Sequence, residues 1–81
     1  MKTTIRLFAK ARDLAGTASY ELDLAESATA ADLRAALGEH LPALQPILGS
    51  LLVAVGNDYA TPSTSVAGRM DVAVFPPVSG G

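Results

Sequence analysis

Ile5, Leu7 and Ala9 alternate with Thr4, Arg6 and Phe8, a period of two that sets one strand face against a core and leaves the other partly wet. Residues 11–17 carry charge and close on Ala15-Gly16-Thr17, a turn signal. Beyond it Tyr20, Leu22 and Leu24 alternate with Glu21 and Asp23, so the first two strands are expected to form a β-hairpin. Thr29 stands three residues before Asp32, the spacing at which a hydroxyl and a carboxylate satisfy the orphan N–H groups of a helix start. The pattern then turns helical. Leu33, Ala36, Leu37 and Leu41 share one face, Arg34 and Glu39 face away, Pro42 prevents the helix from running on, and Pro46 shortens the turn that follows.

Leu51-Leu52-Val53-Ala54-Val55 is an unbroken apolar run between Gly49 and Gly56, which predicts a strand covered over most of its length. Gly56-Asn57-Asp58 supplies a tight turn into a short strand at Tyr59-Ala60. Residues 61–69, rich in Thr, Ser, Pro and Gly, read as a loop, and residues 71–75 as a last strand, β-branched at alternate positions. The predicted order is β-β-α-β-β-β. The first two strands are joined too closely for a parallel crossover, which excludes a doubly wound sheet and leaves an α+β fold with one helix across a mixed sheet. With the first and last strands adjacent at its centre, this is the β-grasp arrangement, residues 1–75 forming the domain and residues 76–81 an extended C-terminal arm.

Eighty-one residues make one domain, and a chain of this size buries only about 60% of the surface it exposes when unfolded. The apolar half of the composition leans on alanine and short aliphatics, with two Phe, two Tyr and no Trp, which disfavours a wide cavity and favours recognition at the surface. A formal net charge of −2 gives no basis for binding a phosphate backbone, so nucleic acid is not an expected partner. The early charges at Lys2 and Arg6 do not suit a signal peptide, and residues 51–55 are too short to cross a bilayer; the expectation is a cytoplasmic protein away from membranes.

Cysteine is absent, which removes disulfides, thiolate metal sites and Cys nucleophiles together. His40 is the only histidine and sits near the end of the predicted helix, where a solvated imidazole facing the negative helix terminus is the plain reading. The eight carboxylates are scattered with no spacing for a metal or an acid–base pair. No bound cofactor or metal is expected, and the side chains hold no catalytic constellation.

The terminus is the exception. Gly averages about 7% of residues, so two in the last two positions arise by chance in about one chain in 200. Pro76-Pro77 favours the extended polyproline form, and Gly80 and Gly81 lack Cβ, so Pro76-Pro77-Val78-Ser79-Gly80-Gly81 reads as a semi-rigid arm with a tip thin enough to thread a partner's active site. The α-carboxylate of Gly81 is ionised at neutral pH and can attack the α-phosphate of ATP held by a partner, giving an acyl-adenylate. The alternative is an inert frayed tail.

Leu7-Phe8-Ala9-Lys10-Ala11-Arg12-Asp13-Leu14-Ala15-Gly16, the apolar run into the turn at 51–57 and above all Phe75-Pro76-Pro77-Val78-Ser79-Gly80-Gly81 resemble the small subunit of molybdopterin synthase, the MoaD family. The likeness spans the chain, and the last seven residues are its specific part; a terminal Gly-Gly alone is shared with the thiamine-pathway sulfur carrier and with ubiquitin. The family usually places Asn directly after the apolar run, where this chain has Gly56 before Asn57. The resemblance implies three partners: an E1-like enzyme that uses ATP to adenylate Gly81, a sulfur donor protein that converts it to a thiocarboxylate, and the large synthase subunit, where sulfur passes to a cyclic pterin precursor. It also implies a heterotetramer with two large subunits, and a chain that works as part of a sulfurtransferase complex without catalytic residues of its own.

An arm of this kind needs a docking surface. Phe8 is out of phase with Ile5 and Leu7, and Phe75 with Val72 and Val74, so on adjacent strands both rings share the sheet face away from the helix as an exposed partner-docking patch; otherwise they fill the small core. Arg12 and Arg69 are available as rim charge. Besides the synthase subunit, two readings stand: a carrier for thiamine or cysteine synthesis or a ubiquitin-like modifier, which use the same carboxylate on another acceptor, and a β-grasp binding module whose tail is inert.

Overall fold

The computed structural model of the protein describes residues 1–77. β1 (Lys2–Leu7) buries Thr3, Ile5 and Leu7 and exposes Lys2 and Arg6, as its period of two requires. It pairs antiparallel with β2 (Ser19–Asp23), Ile5 lying opposite Tyr20. The link between them is not a hairpin turn. Residues Ala9–Ala15 form the short helix α1. Ala-Lys-Ala-Arg-Asp-Leu-Ala consists almost entirely of strong helix formers, and Gly16, with φ 76°, is its left-handed C-terminal cap, donating to the Arg12 carbonyl. The glycine that reads as a turn signal is therefore a helix stop. Ala9, the first helical residue, holds a left-handed φ of 53° where the chain swings from strand to helix, a conformation costing a non-glycine residue about 1–2 kcal/mol.

The main helix α2 (Ala30–His40) begins with the expected capping box: the Thr29 N–H donates to Asp32 Oδ2 at 2.9 Å and the Asp32 N–H to Thr29 Oγ1 at 3.5 Å. Leu33 and Leu37 are fully buried, with Ala36 and Leu41 packed at the margin. Pro42 does end the helix, but it starts a 3-10 turn over Pro42–Leu44, and Pro46 lies in the first turn of α3 (Gln45–Leu48). Proline is tolerated in a first helical turn because its missing N–H would have no partner there. Arg34 does not simply face solvent: it donates to the Leu51 carbonyl at 2.7 Å, tying α2 to the start of the next strand.

β3 (Leu52–Val55) and β4 (Asp58–Tyr59) form a hairpin across Gly56-Asn57, where Gly56 takes φ 63°. β5 (Val72–Phe75) pairs antiparallel with β3 and parallel with β1, giving the strand order β2-β1-β5-β3-β4. First and last strands are neighbours at the centre of a mixed sheet with α2 on one face, and this α+β arrangement is the β-grasp. The core lies between sheet and helix and includes Ile5, Leu7, Leu22, Leu33, Leu37, Val72 and Val74.

The loop between β4 and β5 is ordered by backbone bonds. Its Thr64 carbonyl accepts from the Ala30 N–H, its Val66 N–H donates to the Ala28 carbonyl, and Val66 itself is fully buried. The Gly68 N–H finds its acceptor in Thr3 Oγ1 at 2.9 Å, and Thr3 is the one buried polar residue among those described. Thr3→Val keeps the shape and removes the acceptor, so it is expected to cost about 1–3 kcal/mol in a denaturant titration. Thr4→Val, on the open face one residue along, is the control and should stay within about 0.5 kcal/mol.

Candidate functional site

The expected arm follows β5 in the sequence. Phe75 is the last strand residue, Pro76 is half-buried and Pro77 exposed; Val78, Ser79, Gly80 and Gly81 lie outside the described residues. Because β5 runs parallel to β1, both central strands end on the same side of the sheet. The Phe8 N–H donates to the Val74 carbonyl at 3.1 Å, which carries the ladder one step past the Leu7–Val74 pair and brings the Phe8 backbone beside Phe75.

Neither ring is part of the core. Phe8 is 45% exposed, and Phe75 is half-buried on the face away from α2. The ring that meets Phe75 is that of Tyr59, with centroids 6.0 Å apart and planes at 50°. Residues opposite one another in a ladder share a face, so the pairs Leu52–Phe75, Ala54–Ala73 and Ala54–Tyr59 place Phe75, Ala73, Leu52, Ala54 and Tyr59 on one surface. Leu52 is 36% and Tyr59 74% exposed. A hollow of about 220 Å³ opens there, lined by Ala54, Asp58, Tyr59 and Phe75 among others.

The other half of the open face is polar. The pairs Lys2–Asp23, Thr4–Glu21 and Arg6–Ser19 line β1 and β2, so a boundary between charged and apolar surface runs between β1 and β5, along the strand that carries the arm. Leu52 and Tyr59 belong to this surface although sequence reasoning passed over them. The run 51–55 is apolar at every position, which hides its period of two; the helices cover one face only, so Leu51 and Val53 are buried and Leu52 is bare. The signal available was Tyr59, which a two-residue turn at 56–57 places opposite Ala54.

The two ion pairs among the described residues lie at the far end of the sheet. Arg69 grips Asp71 through Nε–Oδ1 at 2.8 Å and Nη2–Oδ2 at 2.6 Å, just before β5 begins. The hydrogen bond from Arg69 holds the Asp71 carboxyl below its ordinary range, and the same bond raises the guanidinium. The N-terminal ammonium donates to Asp23 at 2.9 Å, and that bond likewise lowers the Asp23 carboxyl. Arg69 is thus remote from the arm, whereas Arg12 stands exposed on α1, which packs against β5. His40 ends α2 edge-on to Tyr20 of the edge strand β2, with centroids 6.2 Å apart. No three residues of the His, Cys, Asp and Glu types converge among those described. No described helix is long and apolar enough to cross a membrane.

The described residues thus hold an apolar, aromatic-bearing half-sheet beside the point where β5 gives way to Pro76-Pro77. The sequence pattern of the ThiS family matches residues 5–81. The molybdopterin synthase sulfur carrier subunit of Arabidopsis thaliana is 31% identical over 77 residues, spanning 95% of this chain and 80% of that protein. SAMP1 from Haloferax volcanii is similar in structure with a TM-score of 0.85 at 28% identity, covering 100% of each chain. A structure described as small archaeal modifier protein 1 of H. volcanii gives 0.79 at 26%, covering 95% of this chain and 98% of that one. The β-grasp sheet is of the ubiquitin-like kind.

Proposed function

The chain belongs to the ThiS family, and from that premise we propose that it is the sulfur carrier subunit of a molybdopterin synthase, working through the α-carboxylate of Gly81. In this cycle an E1-like enzyme binds the domain and ATP. The Gly81 carboxylate attacks the α-phosphate, pyrophosphate leaves, and the acyl-adenylate forms. A sulfur donor protein carrying a persulfide then attacks the acyl carbon and AMP leaves. Reductive cleavage of the resulting acyl disulfide by a thiol of that donor frees the thiocarboxylate. The large synthase subunit accepts the arm, and the thiocarboxylate sulfur passes to cyclic pyranopterin monophosphate on the way to a dithiolene. Hydrolysis of the acyl group returns Gly81 to its carboxylate.

The observation that carries this reading is the juxtaposition of Phe75-Pro76-Pro77-Val78-Ser79-Gly80-Gly81 with an apolar half-sheet containing Phe75 itself. Phe8 and Phe75 act as anchors in the docking patch, with Leu52 and Tyr59 around them, while Pro76, Pro77, Val78, Ser79 and Gly80 thread the partner's channel. Nothing in the cycle asks for a cysteine or a bound cofactor on this chain.

A second reading, a ubiquitin-like modifier, draws on the likeness to small archaeal modifier protein 1. The thiocarboxylate form separates the two. Mixed with a large synthase subunit and the pterin precursor, it should be consumed in step with dithiolene formation, followed by intact mass and product fluorescence. Isopeptide products on protein lysines with no dithiolene would establish the modifier instead, and transfer to a thiazole precursor the thiamine-pathway carrier.

A further inference from the structure

Alanine leaves an open cleft on the helix side of the sheet. Ala31 and Ala35 of α2, with Leu48, Val53, Ala60 and Pro62 opposite, enclose about 340 Å³, at the lower end of the range of about 300–1,000 Å³ typical of small-molecule pockets. Side chains that stop at Cβ cannot fill this space, and the walls are tied so that they do not close over it. The Ala30 and Ala31 N–H groups donate to the Thr64 and Pro62 carbonyls at 2.9 and 3.1 Å, and the Ala60 N–H to the Val53 carbonyl at 2.8 Å. Sliding the helix onto the loop would break those bonds.

One cation lines the cleft. Arg34 is half-buried, and Nη2 and Nη1 donate to the Leu51 and Gly49 carbonyls at 2.7 and 3.4 Å. A guanidinium has five N–H donors, so three have no acceptor among the described residues, and no carboxylate among them forms an ion pair with it. The guanidinium is held in place, and part of its planar fork is free.

We propose that this cleft binds a small amphipathic carboxylate, its apolar body against the alanine walls and its two oxygens on Arg34. The volume admits one ring with a short tether. The fork of Arg34 matches a planar carboxylate, and a neutral ligand would leave that charge unanswered. The cleft lies on the opposite side of the sheet from Phe75, so an occupant does not compete with docking of the arm, and the proposal does not rest on the carrier function.

The test is a ¹⁵N chemical-shift titration of the full chain with 4-phenylbutyrate, and in parallel with uncharged 4-phenylbutanamide. About a dozen non-hydrogen atoms at drug-like efficiency give a Kd on the order of 1 mM for the acid. Saturable shifts are expected at Ala31, Arg34, Ala35, Ala60 and Thr61, with the amide about tenfold weaker. Arg34→Gln should bring the acid down to the level of the amide, whose retained binding shows an intact fold. Ala35→Leu, at a solvent-facing position, should fill the cleft and remove both. Absence of saturable shifts at these residues, shifts confined to the Leu52 and Tyr59 face, or an unchanged preference for the acid in Arg34→Gln would overturn the proposal.

Discussion

Deleting Gly81, or adding one residue after it, should abolish sulfur transfer and leave the domain folded. The described core is built from residues between Ile5 and Val74, none of them in the arm, so the melting temperature and near-ultraviolet spectrum should match those of the intact protein. The chemistry, in contrast, has no tolerance. Each residue advances an extended chain by about 3.3–3.6 Å, whereas reacting atoms must lie about 3–3.5 Å apart in a productive complex. A misplacement of about 1 Å already costs about 100-fold, so moving the carboxylate by a whole residue removes it from the reaction. Single-turnover formation of the dithiolene, with adenylate formation measured separately on the E1-like enzyme, provides the readout. Retained transfer in either variant would end the carrier reading.

Neighbouring residues, one buried and one exposed, should separate folding from docking. Leu7 is 1% exposed and packs among the core residues, so Leu7→Ala is expected to cost about 2–5 kcal/mol, a large share of the roughly 5–15 kcal/mol that stabilises a small domain. Phe8, one residue on, is 45% exposed, and Phe8→Ala should change stability by less than about 1 kcal/mol. Phe75→Ala loses the Tyr59 contact, a pairing worth about 0.5–1.5 kcal/mol beyond the area it buries, but leaves Val72 and Val74 in the core. Aromatic anchors at interface centres commonly cost 2 kcal/mol or more when truncated, about 30-fold in affinity. Titration calorimetry with the large subunit should therefore show Phe8→Ala and Phe75→Ala weakened by about 10–100-fold, each with a nearly normal denaturation midpoint. If both variants unfold while binding per folded molecule is unchanged, the rings are structural and the docking surface lies elsewhere.

The same contrast explains what could be read along the chain. Alternation in β1 and β2 and the Thr29–Asp32 box are local signals, carried by side chains one to three residues apart, and the structure keeps both. The pairing of β1 with β5 was legible only as a topological inference, because the two segments are more than sixty residues apart and no local pattern reports their contact. Residues 11–17 read as a turn because Gly16 signals a chain reversal and a helix stop equally well, and packing of Ala11 against the core decides between them. In the sequence Arg34 faces away from the apolar side, because helical periodicity reports direction around an axis, not which carbonyls a long side chain can reach.

The sequence by itself determined the α+β class, the capped helix, the lack of any cysteine side chain, and the Phe75-Pro76-Pro77-Val78-Ser79-Gly80-Gly81 run on which the proposed function rests. Those are properties of residue type and short spacing. Tertiary structure alone decided that Leu52 and Tyr59 lie outside the core while Leu51 and Val53 lie within it, and that the rings of Phe8 and Phe75 do not fill the core. In an all-apolar strand both faces read alike, and only the one-sided placement of the helices makes one face core and leaves the other open.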